Sequence, residues 1–170
     1  ALELTGSALA DFVRQIGRAI SGAPTLAKTL TNIYPHLMRD VRAAQFARTL
    51  APWDGKTMTV AGPSMGGYRS ITLAALDPSV TACNPVYTWM CDLSGSRLHG
   101  RLGGWLPEWK DELAYIDGAN LAMRVTCPVE MCFGLADYVC PPSGQIVMIR
   151  NLRGAVSCRV SQGVGHGHAW

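Results

Sequence analysis

The feature that most constrains this chain is a short β-prone run, Lys56-Thr57-Met58-Thr59-Val60-Ala61. It passes through Gly62-Pro63-Ser64-Met65-Gly66-Gly67 into a helix-compatible stretch from Tyr68 to Leu76. Strand, sharp turn and helix in that order put the serine at a tight bend where side chains two residues to either side would collide, and glycine at 62 and 66 removes them. The letters alone are weak, because 18 of the 170 residues are glycine and an ordinary turn can use Ser64 to cap a helix. The flanking strand and helix make Ser64 a candidate nucleophile, with the Met65 backbone N–H as first donor to a developing oxyanion.

A serine hydroxyl attacks poorly unless a base takes its proton and an acid orients that base. Asp137 follows the apolar run Val129–Gly134, and His166 follows Ala155–Ser161 in a glycine-rich loop, so both stand after strand-like segments. Each has a competitor. Asp137 can serve as a turn aspartate before Pro141-Pro142, leaving Asp92 and Asp117 as fallback acids. His168 rivals His166, which is the first histidine after the strand and has glycine on both sides. His36 and His99 are read as bystanders. A zinc site at His166 and His168 lacks a third ligand, so neither metal nor cofactor is expected.

The remaining chain alternates helical and strand patterns. Residues 8–20 place Leu9, Phe12, Val13, Ile16 and Ile20 at helical spacing, and from Pro35 to Leu50 Leu37, Val41, Ala44, Phe46, Ala47 and Leu50 recur similarly. Trp53-Asp54-Gly55 is a turn, Val80–Val86 a buried strand, 113–124 a short helix and Pro142–Leu152 a longer one. Residues 87–112 have no clean period and carry several glycines with Trp89, Trp105 and Trp109. They form a lid-like excursion in which Trp89 and Trp105 are candidate substrate-wall residues, or simply packing. Strands alternating with helices imply an α/β layer structure with a mostly parallel sheet flanked by helices, in one domain spanning 1–170.

Composition removes several classes. With 48% hydrophobic and 16% charged residues the chain has the material of a packed core rather than a disordered segment. Its net charge of +3 is spread without a basic stripe, so no nucleic-acid partner is expected, and no apolar stretch is long enough for a membrane span. Residues 1–30 lack a signal-peptide pattern, so any such leader lies upstream; the compartment is left open. Six cysteines, Cys83, Cys91, Cys127, Cys132, Cys140 and Cys158, are expected mainly as reduced thiols, with Cys83, Cys132 and Cys158 acting as small hydrophobes in strand-like runs.

The order Ser, Asp, His is that of α/β-hydrolases. More specifically, from Tyr34 to His166 the chain resembles the acetyl xylan esterase and cephalosporin C deacetylase family. The resemblance runs through DVRAAQFARTL, WDGK, GPSMGGYRS, ALDPSVTACNP, YIDGANLAMRVTCPVEMCFGLADYVCPPS and VGHG. It implies an α/β-hydrolase fold, a serine esterase that removes acetyl or other short acyl groups from carbohydrates such as xylan oligosaccharides, closed homo-oligomers, and a triad falling on Ser64, Asp137 and His166. Met65 stands where the family usually has glutamine, and Gly167 where it usually has glutamate. Only 63 residues precede Ser64, and the family's first strands, its Arg-Gly-Gln motif and the loop giving the second oxyanion N–H have no counterpart there. The expectation is thus a C-terminal portion of the fold with its N-terminal strands missing. Peptidase or thioesterase activity on the same fold, and a non-catalytic remnant, are the alternative readings.

Overall fold

The computed structural model describes residues 38–98, 109 and 111–167. The chain divides into two compact units, Ala1–Lys56 and Thr57–Trp170. The expected helix at 8–20, His36, His99, Trp105 and His168 lie outside the described residues.

In the first unit, residues 38–47 form a helix, α1. Asp40, Val41 and Ala44 are buried while Phe46 is 66% exposed, which corrects the expected apolar face. Two residues beyond Ala44 is a rotation of about 200° on a helix, so Phe46 turns away from the stripe. Leu50, also exposed, falls in the turns at 48–50 that end the helix. The expected turn follows: Gly55 has φ 75°, and Asp54 Oδ1 accepts the Lys56 N–H at 2.8 Å.

The second unit is a four-stranded parallel sheet, β1 Thr59–Pro63, β2 Ala82–Val86, β3 Val129–Gly134 and β4 Val156–Ser161, in sequential order. Among the described residues, four helices connect or follow the strands' ends: α2 Met65–Leu76, α3 Leu93–Leu98, α4 Gly118–Leu121 and α5 Pro142–Asn151. Parallel neighbours require such crossovers, which is why strand and helical patterns alternate in the sequence.

Helix α2 packs on β1 and β2, and α4 packs on both α2 and α5. The core lies between this helical layer and one sheet face, with Ile71, Cys83 and Phe133 fully buried and Val129 and Met131 nearly so. Burying a side chain such as Ile71 or Phe133 contributes about 1.5–3 kcal/mol. The other sheet face carries Asn84, Val86, Glu130, Cys132, Ser157 and Arg159 along a groove.

Three expectations are adjusted. The helix at 113–124 is broken into a 3-10 turn at Asp111–Tyr115, α4, and a second 3-10 turn at Ala122–Arg124. Asp117 starts a new helix, its side chain accepting the Ala119 N–H at 2.8 Å, and a capping aspartate favours a fresh start over continuation. Inside the excursion at 87–112 a short helix forms, α3, whereas 99–108 and 110 lie outside the described residues. Cys158 is exposed rather than buried, because residues 156–160 of β4 are all exposed. All six cysteines are free thiols. No described helix is long and apolar enough to cross a membrane.

Candidate active site

Ser64 stands between β1 and α2 with φ 53° and ψ −115°, a left-handed backbone that a non-glycine residue adopts at a cost of order 1–3 kcal/mol. Its surroundings hold it there. The Ser64 N–H donates to Val86 O at 2.8 Å, and its carbonyl accepts from the N–H groups of Tyr68 and Trp89, both at 3.1 Å. A side chain at Gly62 would bring its Cβ within 2.8 Å of the Gly66 carbonyl carbon, which is why the bend tolerates only glycine there. Helix α2 starts at Met65, whose N–H is among the first-turn amides that find no acceptor within a helix. The helix dipole also favours negative charge at this end. The Ser64 side chain makes no capping bond to α2, so its hydroxyl is not spent on capping the helix.

Asp137 and His166 meet at the carboxyl ends of β3 and β4. Asp137 is 3% exposed, and its Oδ1 accepts the backbone N–H groups of Val139 and Cys140 at 2.9 and 2.8 Å. Its Oδ2 lies 3.0 Å from His166 Nδ1. A carboxylate accepts only, so Nδ1 carries the proton and Nε2 is left as the basic nitrogen.

The loop bearing His166 is tied to the loop bearing Asp137. Ala136 N–H donates to Val164 O at 3.0 Å, Leu135 N–H to Ser161 O at 3.0 Å, and a Cβ at Gly134 would overlap the Val164 carbonyl. The His166 ring lies edge-on against Tyr87, centroids 4.7 Å apart and planes at 62°.

Cys140 joins these groups. Its Sγ is 3.9 Å from Ser64 Oγ, and ligating atoms of Asp137, Cys140 and His166 all lie within 4.8 Å of one another. The Cys140 sulfur thus lies against Ser64 Oγ and within the same cluster as the Asp137–His166 pair, while no hydrogen bond joins Ser64 to His166 directly. Burial pushes the Cys140 thiol up to about 12, with Asp137 adding to the rise and the Ser64 contact opposing it. A thiol so far from ionisation is not a competing nucleophile.

Sequence reasoning missed Cys140, Tyr87 and Gln145. Gln145 is fully buried, donating to Cys140 O at 2.8 Å and accepting the Thr88 N–H at 2.9 Å, so it fastens the loop after β2 to the loop after β3. Of the fallback acids, Asp117 is an anchor. Its carboxylate accepts the N–H groups of Asp92, Leu93 and Ala119 at 2.6–2.8 Å. Burial raises its pKa against the pull of those bonds. Trp89 is half-buried, its ring edge-on to Tyr68 at 6.5 Å.

A parallel sheet bearing a serine on a strand-to-helix bend, with an acid and a histidine after two later strands, defines an α/β-hydrolase. The family that the chain resembles within that fold is the acetyl xylan esterases: residues 108–169 match the acetyl xylan esterase (AXE1) family. Over 118 residues, 64% of this chain and 27% of the relative, it is 39% identical to the acetyl esterase Axe7A of Xylanibacter ruminicola. Two solved structures are similar in both fold and sequence. Acetyl xylan esterase from Paenibacillus sp. R4 has a TM-score of 0.73 at 25% identity, covering 81% of this chain and 48% of that one. Acetyl xylan esterase 1 from Thermoanaerobacterium sp. JW/SL YS485 has 0.66 at 27%, covering 78% and 47%. The chain thus spans about half the length of these solved relatives and about a quarter of Axe7A.

Proposed function

We propose that the chain is a serine esterase that hydrolyses acetyl or other short acyl esters, with acetylated carbohydrates as its substrate class. The observation that carries this reading is the hydrogen bond from His166 to buried Asp137 beside a serine held at positive φ at the start of a helix. Similarity to an acetyl esterase and two acetyl xylan esterases supports the substrate class.

In this reading Ser64 Oγ attacks the ester carbonyl carbon while His166 Nε2 takes its proton. The carbonyl oxygen, now negative, receives the Met65 N–H at the positive end of α2. Collapse breaks the bond to the alcohol, which leaves with the proton from His166, and the acyl group stays on Ser64. Water gives a proton to the same nitrogen as it attacks the acyl-serine carbonyl. Collapse breaks the bond to Ser64 Oγ, which takes that proton back from His166, and the carboxylic acid is released. Asp137 holds the imidazole in this tautomer throughout. Trp89, on the loop that also bonds the Ser64 carbonyl, is the described residue of the proposed substrate wall.

The test is covalent labelling with a fluorophosphonate followed by peptide mapping. The reading expects one label, on Ser64, lost on denaturation and in His166→Ala. Label on another serine, or none on folded protein, overturns it.

A further inference from the structure

Three side chains of different donor type meet beside Ser64: a carboxylate from Asp137, a thiol from Cys140 and an imidazole from His166, with one ligating atom of each within 4.8 Å of the others. We propose that these three residues form a binding site for a thiophilic divalent cation such as zinc. The cation there switches off the hydrolytic centre.

Tetrahedral zinc takes sulfur at about 2.3 Å and nitrogen or oxygen at about 2.0–2.2 Å. Three atoms no more than 4.8 Å apart have a common centre within about 2.8 Å of each, so each moves by less than about 1 Å to reach those bond lengths. Nitrogen, oxygen and soft sulfur together select zinc-like ions over magnesium or calcium, which prefer all-oxygen sites.

The surroundings suit such a site. Asp137 Oδ1 is already engaged by two backbone N–H groups, which fixes the carboxylate and turns Oδ2 inward, an outer support of the kind that orients metal ligands. Gln145 holds the Cys140 carbonyl. Asp137 and Cys140 are buried, whereas the His166 side chain keeps 23% of its surface, so the imidazole side of the cluster is open to solvent. A solvent water, or Ser64 Oγ, which lies 3.9 Å from the sulfur, would fill the fourth position.

Binding releases the Cys140 thiol proton, and no redox partner is needed. When the ion takes His166 Nδ1, the single remaining ring proton sits on Nε2, the nitrogen that has to accept the Ser64 proton. It also takes Asp137 Oδ2 from its hydrogen bond. This inhibitory consequence rests on the esterase reading; the binding does not.

Cobalt(II) titration of the whole chain tests both parts. One cobalt per chain, with a near-ultraviolet thiolate-to-cobalt band and the visible bands of tetrahedral cobalt, both bleached by one equivalent of zinc, is the expected result. Cys140→Ser loses the near-ultraviolet band while Cys158→Ser, which removes an exposed thiol, keeps it; His166→Gln serves as a second ligand variant, expected to weaken binding. A band absent from the wild type, or unchanged in Cys140→Ser, overturns the site. Ester hydrolysis that persists with zinc bound overturns the switch. A normal cobalt band in a protein with no hydrolysis when metal-free sustains the site and removes the esterase reading instead.

Discussion

The ring of Tyr87 lies edge-on to the imidazole of His166, 4.7 Å between centroids, and its backbone N–H is fixed to Cys132 O at 2.8 Å. Tyr87 is thereby placed to set the orientation of the His166 ring. An aromatic pair of this kind is worth about 0.5–1.5 kcal/mol beyond area burial. Tyr87→Ala is expected to lower kcat by about two- to tenfold with little change in KM, and Tyr87→Phe to restore it. Equal losses in both variants would show that the hydroxyl, not the ring contact, matters.

Asp137→Asn keeps an oxygen for the Val139 and Cys140 N–H groups but replaces the acceptor facing His166 with a donor. The imidazole is driven to the wrong tautomer. A loss of about 10⁴-fold in kcat is expected for such a change, with the unfolding midpoint nearly unmoved. Steady-state kinetics alongside thermal denaturation separates the two effects.

Gly134→Ala tests the tie between the acid and base loops. The added methyl overlaps the Val164 carbonyl, and overpacking of this sort costs about 1–3 kcal/mol. Because Val164 lies two residues before His166, kcat should fall along with stability. Full activity in a destabilised variant would mean that the His166 loop adjusts independently of β3.

Gln145→Leu removes the bridge between Thr88 and Cys140. Two buried backbone groups lose their partner, at about 1–3 kcal/mol each, and the chemical denaturation midpoint should drop accordingly. A midpoint close to wild type would show that the two loops are held by other contacts.

The fold was legible where local chemistry and tertiary structure agree. Val129–Gly134 read as a strand and is one, residue for residue, because its apolar run is bounded by Pro128 and a tight loop. The bend at Ser64 was legible in part for the same reason: a Cβ at Gly62 would meet the Gly66 backbone at 2.8 Å, whereas one at Gly66 would make only an ordinary 3.4 Å contact with Pro63 Cδ. Residues whose role depends on long-range placement were not legible. Tyr87 follows β2 with φ 33°, which nothing in its neighbours announces. Cys140 lies 76 positions from Ser64, and only the crossover through β3 brings its sulfur alongside. Asp117 looked like a spare acid. Its sequence Asp-Gly-Ala-Asn is equally that of a helix start, and the structure uses it so.

The central claim is tested most directly by acetate release from a chromogenic acetyl ester, measured for the wild-type chain and for Ser64→Ala side by side. The account predicts saturable hydrolysis in the wild type and a loss of roughly 10⁴-fold or more on removing the hydroxyl, with both proteins folded. Equal activity in the two proteins, or none in folded wild type, would contradict it.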